Sequence, residues 1–134
     1  FYTQKPKRQK KIVKNWRITP SNKMLHFYLH NVKYFISKIN KVAQKYQADI
    51  SADSQGGMFG IYFTKREVTN YNDILNTNEN NFISFFQYML KNGIFFAPSM
   101  FEAGFISSSH TKKDIDYTVK IFEKWLKEIY LSIN

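Results

Sequence analysis

The sequence predicts an α+β domain in which helices pack on one face of a small, mainly antiparallel sheet. Three segments carry apolar residues at spacings of three and four, the pattern of amphipathic helices. Short apolar runs separate these segments and are typical of strands. The 134 residues are 43% hydrophobic and 18% aromatic, which is enough apolar material for one buried core and argues against a disordered chain.

The first helix is predicted to begin at Asn22 or Lys23 and to end near Tyr46. Its buried stripe is predicted to consist of Leu25, Leu29, Val32, Phe35, Ile36, Ile39, Val42, Ala43 and Tyr46. His26 and His30 lie one turn apart, as two ligands of one metal would, but no third ligand accompanies them at a usable spacing. We therefore interpret both histidines as partly exposed helix residues.

Two strands are predicted next, a short one around Ile50 and a clear one at residues 58–64. Because the second run is apolar almost throughout, we expect cover on both of its faces. Gly56, Gly57 and Gly60 match neither the dinucleotide fingerprint nor the P-loop, since no helix follows to bind a phosphate. These glycines indicate tight turning and close packing instead.

The remaining helices carry recognisable start and stop signals. The polar segment up to Thr77 is predicted to be a loop, after which Thr77 or Asn78 can cap a helix that Gly93 stops. The last helix begins at Thr111, whose hydroxyl forms a capping pair with Asp114. The buried faces are predicted to be Phe82, Phe85, Phe86, Met89 and Leu90 in the middle helix, and Ile115, Val119, Phe122, Leu126 and Ile129 in the last.

Glu102 is the main candidate for a functional residue, because it places a carboxylate in a run of aromatic, small and hydroxyl residues. Residues 93–97 are predicted to form a short buried strand, Pro98 turns the chain, and residues 103–107 form a second strand. Glu102 would then lie on a loop between two strands, where binding and catalytic groups often occur. This position predicts a substrate-facing role, and an exposed or salt-bridged glutamate is the alternative.

His110 directly precedes the last helix and is the other candidate. It could face a ligand, but we expect it to pack on the first turn and donate a hydrogen bond to a nearby carbonyl. No nucleophile, base and orienting residue occur at a spacing that would make a self-contained active site. The residues alone therefore predict a compact domain that presents a loop to a partner molecule.

The net charge of +10 is unevenly distributed. Residues 1–23 hold eight of the 20 basic residues and none of the 10 acidic ones, so the rest of the chain is nearly neutral. The sequence thus divides into a basic, irregular extension, 1–23, and a folded domain, 24–134. Such an extension could bind phosphate backbones or an anionic membrane, but it lacks a groove-reading motif, and a solvated extension is the favoured interpretation.

The absence of cysteine excludes disulfides, thiolate metal sites and cysteine nucleophiles. No uncharged apolar window reaches the roughly 18 residues that a membrane span requires. We therefore expect a cytoplasmic protein with no membrane partner.

Several motifs together resemble a known family. They are residues 56–64, 68–71, 82–90 and 93–105, with His110-Thr111 and 114–116. In register from roughly His30 to Glu128, they resemble the C-terminal part of the glutamate-1-semialdehyde 2,1-aminomutases, which belong to the class III aminotransferases. Residues 1 to about 24 do not resemble this family.

The resemblance implies the small C-terminal domain of an aspartate-aminotransferase-like (fold type I) enzyme. It implies isomerisation of glutamate 1-semialdehyde to 5-aminolevulinate, a tetrapyrrole precursor, by an enzyme that is a homodimer when intact. It also implies pyridoxal 5′-phosphate, bound through a lysine of a large domain that has no counterpart in this chain. Glu102 matches the family's glutamate that faces the substrate, and Ser99 and Phe101 would shape the same loop.

Two hypotheses follow. In the first, the chain is the small domain of the aminomutase and has no turnover alone. In the second, it is a stand-alone interaction or nucleic-acid-binding module that acts through its basic extension. One residue departs from the family pattern, Ser109, where the family usually has alanine; we expect its hydroxyl to be hydrogen-bonded or exposed.

Overall fold

The structure is a computed structural model that describes residues 22–133, with side chains described from Leu29 onward. The predicted extension 1–23 therefore lies outside the described residues, except for its last two, which begin the first helix. The helices and strands are α1 (Asn22–Lys45), β1 (Ser51–Gln55), β2 (Met58–Tyr62), α2 (Tyr71–Leu75), α3 (Glu79–Lys91), β3 (Gly104–Phe105), α4 (Lys112–Trp125), a π-helical segment (Leu126–Tyr130) and α5 (Leu131–Ile133). None of these helices is long and apolar enough to cross a bilayer.

The three strands form one antiparallel sheet in the order β1-β2-β3. Gly56 and Gly57 join β1 to β2 as a two-residue loop, with Gln55 paired to Met58. Gly56 has a positive φ of 60°, the conformation that a type II′ hairpin turn requires at its first loop residue. The strand predicted around Ile50 begins one residue later, at Ser51, and the strand predicted at 58–64 ends at Tyr62. The tight turn between them is confirmed.

The two faces of β2 differ, so the prediction that both are covered is wrong. Phe59 and Phe63 are buried on the face that packs against the helices, whereas Met58, on the other face, is exposed. α1 packs on the face of the sheet that carries Phe59, and on the other side the ring of Tyr62 lies over Gly60. A Cβ atom at Gly60 would collide with that ring, which confirms the predicted close packing at this glycine.

α1 packs on β1 and β2, and α4 contacts both α1 and α3. The predicted stripe of α1 is buried at five positions, Val32, Phe35, Ile36, Ile39 and Ala43. The side chain of Asn40 fixes this helix to β1, because its amide donates to the carbonyl of Ala52 and accepts from the Ala52 N–H, both at 2.8 Å. His30 is exposed, and the side chain of His26 lies outside the described part.

Trp125 lies at the centre of the core. Its ring centroid is between 5.5 and 5.9 Å from those of Phe63, Phe85, Phe122 and Tyr130. Its Nε1 donates to Ser84 Oγ at 3.0 Å, so the indole N–H is paired although the side chain is fully buried. Trp125 and Ile121 widen the buried face of α4 beyond the prediction, because this helix packs against two others.

The predicted ends of α3 and α4 are confirmed. Asn78 caps α3 by accepting from the N–H of Asn81 at 3.0 Å, and Gly93, with a φ of 82°, follows the last turn. Thr111 and Asp114 form a reciprocal capping box at the start of α4. The face of α3 is narrower than predicted, since Leu90 is exposed.

The predicted loop before α3 is wrong in one respect, because it contains the short helix α2. Asn70 accepts from the N–H of Asp73, and the Asp73 carboxylate accepts in return from the N–H groups of Thr69 and Asn70. This capping box compensates for the small number of hydrogen bonds within a five-residue helix.

The strand predicted at residues 93–97 is also wrong. After Gly93 the chain forms neither helix nor strand, and Phe96 holds it in place by packing against Phe59 and Phe85. The strand predicted at 103–107 is confirmed only as the two residues of β3. Glu102 therefore lies on the connection from α3 to β3 and not between two strands.

Candidate functional site

The loop that carries Glu102 is closed by a tight turn. The N–H of Glu102 donates to the carbonyl of Ser99 at 3.1 Å, and the N–H of Phe101 donates to Ser99 Oγ at 3.2 Å. Both bonds depend on Ser99, because its carbonyl and its hydroxyl are the two acceptors. The predicted loop residues Ser99, Phe101 and Glu102 are thus brought together in a single turn.

Phe101 fixes one side of this turn. Its ring lies 5.4 Å from that of Tyr71, at an interplanar angle of 31°, and both rings are largely exposed. Met100 Sδ lies 3.7 Å from Oγ1 of Thr77, whose hydroxyl donates to the carbonyl of Ile74 at 2.8 Å. The turn is therefore tied to α2 and to the segment before α3.

Glu102 is exposed and lines a cavity of about 340 Å³. The buried wall of this cavity is formed by core side chains, among them Phe35, Phe59 and Ile115. Phe95 and Phe105 lie at its exposed edge. A carboxylate thus stands beside an apolar cavity large enough for a small organic group, the usual composition of a ligand site.

His110 lines the same cavity as Glu102. Its Nδ1 accepts from the backbone N–H of Ser107 at 2.9 Å. The backbone N–H of His110 donates to the Ser107 carbonyl at 3.1 Å. Because a backbone N–H can only donate, the neutral imidazole carries its proton on Nε2. The sequence predicted that the ring of His110 packs on the first turn and donates to a carbonyl. Nδ1 instead accepts a hydrogen bond, so the prediction is wrong for this nitrogen. Ser109 is exposed, as expected.

Asp114 is the third polar group at the cavity, and its carboxylate is occupied by the helix cap. Oδ2 accepts from the N–H of Thr111 at 2.7 Å and from its hydroxyl at 2.8 Å. The hydrogen bonds from Thr111, backbone first, lower the pKa of Asp114 below the ordinary value of 3.8, and the nearby His110 contributes further. Asp114 is therefore ionised near neutral pH and fixed in place.

A pyridoxal phosphate site needs a lysine for the Schiff base and donors for the phosphate. Among the described residues that line the cavity there is no lysine or arginine. These residues therefore do not form a site for that cofactor by themselves. In the range 29–133, no three histidine or acidic side chains are grouped as metal ligands either.

The arrangement can bind and orient a ligand, but it does not supply a reaction alone. Glu102 can accept hydrogen bonds from an ammonium or hydroxyl group next to the cavity, and His110 can donate one from Nε2. The sequence pointed to Glu102 but not to Phe95, Phe105 and Tyr71 around it. A signal for all three was present, since each lies in a motif of the resemblance.

No family model matches the chain. Individual proteins do match. The glutamate-1-semialdehyde 2,1-aminomutase of Ruminiclostridium cellulolyticum is 43% identical over 88 residues, which are 66% of this chain and 20% of that protein. The protein of the same name from Fusobacterium nucleatum is 40% identical over 97 residues, which are 72% of this chain and 22% of that protein.

A solved structure shows the same fold. The β-phenylalanine aminotransferase from Variovorax paradoxus superposes with a TM-score of 0.66 over 78% of this chain and 23% of that one, at 14% sequence identity. The described domain thus has the fold of one part of an aminotransferase. The chain spans about a fifth of the length of the curated relatives it matches. By its sequence, it belongs to the family of the glutamate-1-semialdehyde 2,1-aminomutases.

Proposed function

We propose that this chain is the C-terminal small domain of a cytoplasmic glutamate-1-semialdehyde 2,1-aminomutase. The intact enzyme would isomerise glutamate 1-semialdehyde to 5-aminolevulinate for tetrapyrrole synthesis, and would be a homodimer. The observation that carries the proposal is the sequence match of 40% to 43% to proteins of that name. The aminotransferase fold of the described domain supports it independently.

The role of this domain would be to form one wall of the active site. The loop 97–105 would face the substrate, with Glu102 as the residue that touches it. A carboxylate in this position binds and orients the substrate's amino group through charge-assisted hydrogen bonds. Ser99 would keep Glu102 in place, since both bonds of the turn involve it. The apolar wall beside Glu102 would exclude water and so strengthen these bonds.

The cofactor would be held by the rest of the enzyme. Pyridoxal phosphate, when bound as a Schiff base, supplies the electron sink for moving the amino group. No lysine of this chain is assigned that role. The chain alone is therefore proposed to be inactive.

The experiment is reconstitution. A chimera in which this chain replaces the matching fifth of the R. cellulolyticum enzyme should show the absorbance of bound pyridoxal phosphate and form 5-aminolevulinate. Glu102→Gln should lower kcat/KM by about tenfold or more, because the charge on the substrate-facing oxygens is lost. Glu67→Gln, an exposed glutamate away from the cavity, is the matched control. Full activity of Glu102→Gln would remove this residue from the site.

The alternative function, nucleic-acid binding through the basic extension, depends on residues 1–23, and only the last two of these are described. It predicts salt-sensitive binding to DNA or RNA that is lost when residues 1–23 are deleted. Absence of binding at low salt would exclude it.

A further inference from the structure

We propose that Phe95 and Phe105 form a docking face on which the rest of the aminomutase packs, with an apolar side chain of that protein inserted into the cavity between them. This inference rests on the proposed function, since the partner is the remaining four fifths of the enzyme. It goes beyond that function by naming the surface and the contacts that hold the two parts together.

The first argument is exposure. The side chains of Phe95 and Phe105 are each 57% exposed, although phenylalanine is one of the residues most often found inside proteins. Met58, which is paired with Phe105 across the sheet, is also exposed. Phe95 and Phe105 both line the cavity, so the two rings border the same apolar opening. Exposed apolar side chains grouped around one opening indicate an interface more often than a solvated face.

The second argument is the cavity itself. Its inner wall is made by Phe35, Phe59 and Ile115, which are core residues, so the opening leads from the surface directly to the core. Water gains few hydrogen bonds against such a wall, and an apolar side chain would fill the space with dispersion contacts. A volume of about 340 Å³ is large enough to take such a side chain.

The third argument identifies the occupant. Glu102 lies between Phe95 and Phe105 in the sequence and lines the same cavity. Under the proposed function this carboxylate faces the substrate, so the protein that holds the substrate must meet the same rim. The match covers only 20% to 22% of the relatives' length, and the rest of such an enzyme is large enough to cover this face. Glu102 and Asp114 make the rim acidic, which suits a partner surface carrying lysine or arginine.

Cysteine labelling tests the proposal, because the chain contains no cysteine of its own. Phe95→Cys and Phe105→Cys report on the docking face, and Ile133→Cys, at a residue that is 69% exposed, is the control. Ile133 lies far from the face: the hydroxyl of nearby Tyr130 accepts from the N–H of Asp49, which precedes the opposite edge strand β1. Each variant is made in the free chain and in the R. cellulolyticum chimera, and maleimide labelling of each peptide is followed by mass spectrometry.

The expected result is that Phe95→Cys and Phe105→Cys label at least about tenfold more slowly in the chimera than in the free chain, relative to Ile133→Cys. Equal labelling would overturn the proposal. A chimera that stays unfolded by circular dichroism would also overturn it, since the two surfaces would then not be complementary.

The labelling and activity measurements together distinguish a failure of the docking face from a failure of the proposed function. A chimera that protects both cysteines but forms no 5-aminolevulinate would contradict the function and leave the docking face intact. An active chimera in which both cysteines label freely would contradict only the docking face.

Discussion

Thr111 shows how one side chain sets the start of a helix. Its hydroxyl accepts from the N–H of Asp114 at 3.2 Å and donates to the Asp114 carboxylate at 2.8 Å, so it pairs a group that α4 itself leaves free. Thr111→Ala should lower the free energy of unfolding by about 1 kcal/mol. Urea denaturation followed by circular dichroism measures this change, with Thr118→Ala inside the same helix as the control. An unchanged midpoint would mean that the cap contributes nothing.

Asp73 and Asp114 make stability depend on pH. Hydrogen bonds from Thr69 and Thr111, respectively, hold the pKa of each carboxyl below the ordinary value of 3.8. A pKa that is lower in the folded than in the unfolded state adds stability above the unfolded value, and this stability is lost as the pH falls through the folded value. The double variant Asp73→Asn/Asp114→Asn should therefore melt below the wild type at pH 6, and the gap should close below about pH 4. A gap that stays constant from pH 6 to pH 2 would show that the two charges are not responsible.

At the scale of elements, two glycines of the sheet lie against aromatic rings, but they differ in how far each ring can move. A Cβ at Gly104 would collide with the ring of Phe59, which is buried and packed edge-on against Phe35 and Phe96 at 5.0 and 6.0 Å. A Cβ at Gly60 would collide with Tyr62, which is only partly buried and can swing outward. Gly104→Ala should thus cost about 1 to 3 kcal/mol of stability, and Gly60→Ala less.

A double-mutant cycle with Phe59→Leu checks this account. The smaller side chain should remove most of the additional cost of Gly104→Ala, because it removes the atoms that collide with the new Cβ. Strictly additive losses in thermal denaturation would show that the collision is not the cause, and that backbone conformation at Gly104 decides instead.

The elements that the sequence predicted correctly are those whose signals are local. The caps at Asn78 and Thr111 lie within four residues of the groups they satisfy, and the stripe of α1 is buried from Val32 to Ala43, about three turns. α2 was not predicted, although Asn70 and Asp73 have the spacing of a capping box. This local signal was overlooked because the segment around it is polar and was interpreted as a loop. The prediction of a strand at residues 93–97 was wrong for a different reason. An apolar run can be buried by its side chains alone, and whether a partner strand lies beside it depends on the rest of the fold.

The same distinction applies to the candidate site. Glu102 could be found from the sequence because a charge in an apolar run is unusual wherever the chain goes. The convergence of Glu102 with His110 and Asp114 on one cavity could not, since it depends on how β3 and the start of α4 are placed against the core. Phe95 and Phe105 are exposed, but phenylalanine is also a residue type of the core. The sequence therefore cannot distinguish these two rings from buried ones, and only the structure does.

In the molecule as a whole, α1, α3, α4, the π-helical segment and the sheet share one core, and Trp125 joins its parts. Its indole contacts Phe63 at the end of β2, Phe85 on α3 and Phe122 on its own helix. Removal of this side chain should therefore weaken all elements together. Trp125→Ala is expected to cost about 3 to 5 kcal/mol, a large part of the 5 to 15 kcal/mol that stabilises a typical domain.

Trp125→Phe separates packing from hydrogen bonding in this core. The smaller ring retains much of the aromatic packing but leaves Ser84 Oγ without its indole donor, so the loss should be about half that of Trp125→Ala or less. Near-UV and far-UV circular dichroism should show one common transition in urea for the wild type and both variants, because packing around Trp125 and helix content depend on the same core. If the near-UV signal of a variant melted well before its helices, the sheet and the helices would be separate cooperative units, and the central position of Trp125 would not extend to stability.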